Sequence, residues 1–267
     1  MTEAAVQTRV RPAAVAGLFY PADPDRLEAT VRGFLDAAAS AGDPPAALIA
    51  PHAGYVYSGP VAASAYALLG PAHGDVRRVL LLGPSHHVAF RGLAVPTAAA
   101  FATPLGEIPV DREAVEALAR LPQVRRLDAA HAAEHSLEVH LPFLQTVLGR
   151  FRLVPLVVGE AGPDEVAEII ETLWDGPHTL PVVSSDLSHY HDYETARAMD
   201  AATSRAIEAL RPEAIGYEQA CGRDPINGLL TVARRRGLRA ETVDLRNSGD
   251  TAGGRDHVVG YGSYAFR

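Results

Sequence analysis

One cysteine stands in the whole chain of 267 residues, so no internal disulfide can form and a reducing compartment is the default expectation. No apolar run approaches the roughly 18 residues of a membrane span. The opening MTEAAVQTRVRPAAV also lacks the continuous apolar stretch of a signal peptide. A cytoplasmic protein without membrane contact is therefore expected. Phosphate-binding glycine loops are missing: there is neither a Walker loop nor a G-x-G-x-x-G, and Gly159-Glu160-Ala161-Gly162 lacks both the lysine and the full spacing. No G-x-S-x-G elbow occurs, which leaves a hydrolase triad without its nucleophile. Positive charge is in deficit, with 24 basic against 32 acidic residues and a net charge of -8. Without a basic stripe, nucleic acid is excluded as the main partner, because phosphate contacts dominate such binding. The cluster Arg234-Arg235-Arg236 reads as a solvated helix end. Internal repeats and long polar linkers are absent as well.

Present instead are three apolar runs that stop in the same way. Ala47–Ala50 runs into Pro51-His52, Val79–Leu82 into Gly83-Pro84-Ser85-His86-His87, and Leu180–Val183 into Ser184-Ser185-Asp186-Leu187-Ser188-His189. Four or five aliphatic residues followed by Pro, Gly or Ser mark the end of a buried parallel strand. Further strands are expected over Leu93–Pro96, Phe151–Val158, Arg239–Leu245 and Val258–Phe266. Helical patterns lie between them, from Pro24 to about Ser40, Ser58 or Gly59 to Leu69, Asp111 to Arg120, His135 or Ser136 to Leu148, Pro163 to Trp174, and Tyr193 to Leu210. A last helix follows Asp224-Pro225, read as cap and first turn. Such alternation predicts an α/β fold: a single three-layer domain, its central sheet mainly parallel, with helices on both faces. Residues 246–257 read as a helix-free connection, so the C-terminal strands are expected to pair antiparallel. Residues 1–11 read as a flexible leader and 12–267 as the domain.

Ligand chemistry in open α/β sheets gathers beyond the carboxyl ends of strands. His52, His86 and the Asp186–His189 pair thus point to one site assembled from distant segments. His86 and His87 are adjacent and face different ways, so one enters the site and the other faces outward or stands behind it. Asp186 and His189 could move protons or orient a ligand, and the alternative is that Ser184, Ser185 and Asp186 cap a following helix. Cys221, three residues before Asp224, would feel the positive end of a helix dipole and lose its proton more easily. His131-Ala132-Ala133-Glu134-His135 matches the H-x-x-E-H zinc pattern, yet Pro142 lies close behind and no strand end supports it. Glu134 to His140 is expected to line the central cavity or to cap a helix.

The segments AGLFYPADPDRL, APHAGYVYSG, LLGPSHH, EHSLEVHLPFLQ, SSDLSHY, CGRDPINGLL and GYGSYAF, in this order from about residue 12 to the C-terminus, resemble the Memo family, the B component of the AmmeMemoRadiSam grouping. That family is similar in fold to class III extradiol dioxygenases, which use a non-heme iron. The resemblance implies a metal held by His52, His86 and Cys221, with Asp186 and His189 beside it as catalytic groups. It further implies redox or dioxygenase-like chemistry and association with AMMECR-type and radical SAM proteins. Phe19 stands where some members carry Trp. A thiolate in place of the dioxygenase carboxylate is a softer ligand, suited to iron, copper or zinc. Phe19, His87, His135, Glu138, His140 and Arg223 are expected around the pocket, which would take a small-molecule or peptide ligand. Two other functions fit the same residues: a non-catalytic module binding an anionic peptide or small ligand with Arg223 and the imidazoles as donors, and a zinc hydrolase at the triad or at His131, Glu134 and His135.

Overall fold

The computed structural model describes residues 9–38, 44–70 and 75–267. The chain opens with β1 (Val10–Arg11), α1 (Pro24–Ala37), β2 (Ala47–Ala50), α2 (Tyr55–Tyr66) and β3 (Arg78–Pro84). It continues through β4 (Leu93–Val95), β5 (Ala100–Thr103), β6 (Gly106–Pro109), α3 (Arg112–Leu118), β7 (Val124–Arg126), α4 (Asp128–Ala132) and α5 (Leu141–Leu148). Next come β8 (Arg152–Val158), α6 (Pro163–Leu173), β9 (Thr179–Ser184), β10 (His189–His191) and α7 (Tyr193–Glu208). The chain closes with α8 (Arg223–Arg236), β11 (Ala240–Asn247), α9 (Ser248–Thr251) and β12 (Val258–Phe266).

The expected single α/β domain is what forms. The order β10-β12-β2-β9-β3-β8-β4-β7 makes one sheet, and β11 pairs with β12 at its side. Strands β2, β9, β3 and β8 are mutually parallel and almost wholly buried, which is why they read as unbroken aliphatic runs. The C-terminal strands pair antiparallel as expected, β11 with β12 and β12 with β2. Helices α1, α2 and α5 pack together on one part of the sheet, while α6 and α8 pack on each other over β3 and β9.

Local differences have local causes. Residues 1–8 of the expected leader, and Ser40 at the expected end of the first helix, lie outside the described residues. Val10 and Arg11 are not leader: they pair in parallel with Ala100 and Phe101 of β5. The second helix starts at Tyr55, before Ser58, because the Tyr55 N–H is taken by the Phe19 carbonyl and Ser58 donates its hydroxyl to the Ala53 carbonyl. The segment expected as one helix from His135 breaks into a 3-10 turn, Glu138–His140, followed by α5, with Pro142 in its first turn where a missing N–H costs nothing. Asp224 lies inside the first turn of α8 and not at its cap, which is Gly222. The connection 246–257 contains a short helix, α9, capped by Asn247.

Gly260 of β12 shows how tightly this edge is built. A Cβ there would come 2.0 Å from the Asp200 carboxylate, which accepts the Ser188 N–H at 3.0 Å and so holds the loop after β9. Gly260→Ala is expected to cost about 1–3 kcal/mol of stability by forcing Asp200 away. Urea unfolding checks this, and a loss below about 0.5 kcal/mol would mean that the carboxylate yields freely.

Candidate functional site

The parallel strands deliver their carboxyl ends to one edge. β9 lies between β2 and β3, so His52 and His86 approach from either side of the β9 terminus, which contributes Ser184, Ser185 and Asp186. The two imidazole centroids are 5.1 Å apart. His135 arrives from the loop after α4 and completes a cluster. One ring nitrogen each from His52, His86 and His135 lies within 4.8 Å of the others, an arrangement able to hold a metal ion.

Hydrogen-bond accounting fixes which nitrogens face inward. The Ser184 hydroxyl donates to the Ser136 carbonyl at 2.6 Å, spending its one proton. It must therefore accept from His52 Nδ1 at 2.6 Å and from His140 Nε2 at 2.8 Å. His52 is thereby held with a proton on Nδ1 and a bare lone pair on Nε2. His140 Nδ1 in turn accepts from the Tyr66 hydroxyl at 2.8 Å. His86 Nδ1 donates to Glu134 Oε1 at 2.8 Å, a carboxylate that also receives the backbone N–H groups of His86 and Ser136. That leaves His86 Nε2 bare as well. An imidazole locked by a carboxylate or hydroxyl on its far nitrogen is how metal-binding histidines are oriented.

Burial reinforces neutrality. His52 is held well below the usual histidine range, first by burial and then by the neighbouring imidazoles. His135 and His140 are lowered to about 4 and about 3, again chiefly by burial. For Glu134 burial works upward, but the His86 hydrogen bond and charge outweigh it and hold the carboxyl at about 2. Asp186 goes the other way: burial raises it to about 6 against the His52 N–H it accepts at 2.8 Å and the charge of His189.

The Cys221 sulfur stands 3.4 Å from His52 Nε2, 3.6 Å from the Asp186 carbonyl and 3.9 Å from the Ser185 hydroxyl. It lies beside the three-imidazole cluster and outside it. The expected easing of its proton is reversed, since burial, helped by the Asp186 charge, pushes the thiol up to about 12. The helix dipole does not overcome desolvation here. Asp186 caps no helix; β9 leads directly into β10. His189 donates Nδ1–H to the Leu187 carbonyl at 2.8 Å and lines the cavity.

Around these groups lies a cleft of about 900 Å³, within the size of small-molecule sites, lined by Phe19, His52, His86, His135, Asp186, His189, Cys221 and Tyr261 among others. Phe19 packs on His135 with ring centroids 4.6 Å apart. His87 faces outward, its ring 6.2 Å from that of His135. Arg223 does not line the cleft; its guanidinium lies 5.2 Å from the Tyr217 ring and 3.5 Å from Asp224. Glu138 is buried away from the cleft, where it binds Arg11, Tyr20 and the N–H groups of Ala14 and Val15.

The H-x-x-E-H pattern does not form a zinc site. Its three members part company: His131 is enclosed behind β4, donating Nε2–H to the Ala94 carbonyl at 3.0 Å with Nδ1 unpaired, while Glu134 is buried against His86 and His135 lines the cleft. Burial lowers His131 to about 4. The folded chain thus binds fewer protons than the unfolded one between about pH 4 and 6.5, so stability rises with pH across that window. It is complete above about 6.5 and lost as pH falls toward 4. His135 and His140 act with the same sign. In chelated protein the unfolding free energy is expected to be about 3 kcal/mol or more lower at pH 4.5 than at pH 7.5, read by urea titration. A flat profile would show that these rings are solvated.

A profile of the family described as Memo-like protein matches residues 11–265. A MEMO1 family protein of Methanopyrus kandleri is 35% identical, covering 96% of this chain and 99% of its own. One from Archaeoglobus fulgidus is 36% identical over 95% and 98%, and one from Thermotoga maritima 35% over 94% and 97%.

Proposed function

The chain belongs to the Memo-like protein family, and on that premise we propose that it uses a metal ion, iron before copper or zinc, for redox chemistry of the dioxygenase-like kind in the cleft. The observation that carries this reading is the convergence of two bare, locked imidazole nitrogens, those of His52 and His86, with a thiol beside one and a third imidazole beside both. His52 and His86 would hold the ion, with Cys221 as thiolate donor and His135 beside them. The 3.4 Å between sulfur and nitrogen is the spacing of two donors sharing one cation at bond lengths of about 2.3 and 2.1 Å. Coordination removes a thiol proton outright, so the high value of the free thiol is no obstacle. Two imidazoles and one sulfur suit iron, copper or zinc better than magnesium or calcium.

When bound, such an ion supplies electron transfer and polarises whatever ligand enters the free position. The remaining steps belong to the chain. Asp186, held near 6, is balanced to give or take a proton at neutral pH. His189 lines the same cavity and can pass that proton onward. Phe19 and Tyr261 supply apolar walls beside these groups. Association with AMMECR-type and radical SAM proteins is part of this proposal and rests on the sequence resemblance.

Oxygen uptake by metal-loaded protein tests the redox reading. Consumption that disappears in Cys221→Ser and persists with iron supports it. Turnover of an ester or peptide with zinc that is indifferent to oxygen would replace it with metal-assisted hydrolysis.

A further inference from the structure

The described residues expose five large apolar side chains, Leu18 (82%), Val56 (62%), Tyr57 (41%), Tyr190 (74%) and Tyr217 (77%). Single exposed apolar residues scattered over a surface are ordinary, but these are not scattered. All three tyrosines line the cleft that holds the histidines. Leu18 and Val56 line an adjoining groove that shares Phe19 with that cleft.

The tyrosines come from three unrelated elements. Tyr57 sits in the first turn of α2. Tyr190, in β10, holds a left-handed backbone with φ 61°, rare for a bulky side chain, and its carbonyl accepts from His257 at 3.2 Å. Tyr217 lies under the Arg223 guanidinium at 5.2 Å. The strained backbone at Tyr190 and the cation over the Tyr217 ring show that these two residues are held in place, not idly exposed.

Charge around the mouth narrows the ligand further. The chain contains no lysine, so all 24 of its basic residues are arginines, and none of them lines the cleft. The carboxyl groups that do line it are Asp186 and Glu218. Arg223, the donor expected for an anionic ligand, is engaged with Tyr217 and Asp224.

We propose that Tyr57, Tyr190 and Tyr217 form a stacking mouth for a planar aromatic ring system that carries no anionic group, its reacting end directed toward His52 and His86. The direction of the reacting end rests on the metal reading given above; the stacking itself does not. Phenol rings offer flat apolar faces at small conformational cost, and aromatic partners gain over saturated ones of equal area.

The test uses the protein as purified and three probes: 2-naphthylmethanol, its saturated counterpart decahydro-2-naphthylmethanol, and 2-naphthalenesulfonate, an anion that coordinates metals poorly. Binding is followed by naphthalene fluorescence and by calorimetry, with metal content measured on each preparation. The alcohol is expected to bind, the saturated analogue at least about 3-fold more weakly, and the sulfonate at least about 10-fold more weakly. Tyr217→Ala, Tyr57→Ala and Tyr190→Asn, the last chosen because Asn tolerates the left-handed backbone, should each weaken the alcohol about 2- to 10-fold without changing metal content. Equal binding by the triple variant, or sulfonate binding as tight as the alcohol, overturns the proposal. Absence of metal from the wild-type protein beside intact naphthyl binding would instead sink the metal reading and leave the mouth standing.

Discussion

His86→Ala, purified without chelators, is expected to retain less than about one tenth of the wild-type metal content, and His52→Ala likewise. The size of the effect follows from the geometry. Removing only an outer partner that orients a ligand usually costs about 10- to 100-fold in metal affinity, and removing the ligand costs more. His86 gives the cleaner variant, because it is partly exposed and its loss strands only Glu134. His52 is buried, and its loss also takes one of the two imidazole donors from the Ser184 hydroxyl, so some instability accompanies it. Glu134→Gln keeps the shape but weakens the acceptor at His86 Nδ1, and a loss of about 10-fold in affinity is expected. Two further variants decide the third donor. Metal lost in Cys221→Ser and kept in His135→Gln assigns the thiolate, and the reverse assigns the three-imidazole cluster with Cys221 idle. A metal-specific anomalous X-ray signal locates the ion in the same preparations. Undiminished metal in both His52→Ala and His86→Ala would end the metal reading altogether.

The strand ends were legible because burial on both faces writes itself as an aliphatic run, and a parallel sheet puts every such run's end on one edge. His52, His86, Asp186 and His189 could therefore be grouped from the sequence although 34 to 137 residues separate His52 from the others in the chain. His135 is expected around the pocket from the sequence resemblance, but its place in the cluster with His52 and His86 is not legible, since it follows no strand and depends on the irregular turn between α4 and α5. Its neighbour Glu134 offered a signal of a kind: a carboxyl between His and apolar residues, once buried, must find donors. Which donors it finds, the His86 ring and N–H 48 residues away, is settled only by the fold. The state of Cys221 is hidden from the sequence for a related reason. A position near a helix start is a local property, whereas burial is not, and burial prevails. Arg223 is expected at the pocket, but it lines an adjoining groove that shares Tyr217 and Cys221 with the cleft, its guanidinium 5.2 Å from the Tyr217 ring, a placement set by the fold and not by local sequence.

Arg11→Met is expected to cost about 3–5 kcal/mol of folding stability, although Arg11 touches no group in the cleft. Its guanidinium is buried and meets three acceptors on one stretch of chain: the Glu138 carboxylate, the Glu134 carbonyl at 2.6 Å and the His131 carbonyl at 3.0 Å. The same carboxylate receives the N–H groups of Ala14 and Val15 and the Tyr20 hydroxyl. Residues 11–20 are thus tied to the segment that carries Glu134, His135 and His140. Removing the cation leaves a fully buried carboxylate short of a partner and takes one donor from each of the Glu134 and His131 carbonyls, which is the expensive way to break such a pair. The melting temperature should fall by about 6–20 °C. Arg11→Met with Glu138→Leu should recover part of this, since the unpaired charge goes, but not all, because Ala14, Val15 and Tyr20 then lose their acceptor. Metal affinity should fall about 10-fold at temperatures where the variant is still folded, as the loop bearing Glu134 and His135 loosens. Circular dichroism melts and metal titrations on the same samples read both effects. A melting temperature within about 2 °C of wild type would show the knot to be incidental. A large drop with unchanged metal affinity would show that it holds the fold and leaves the imidazoles where they are.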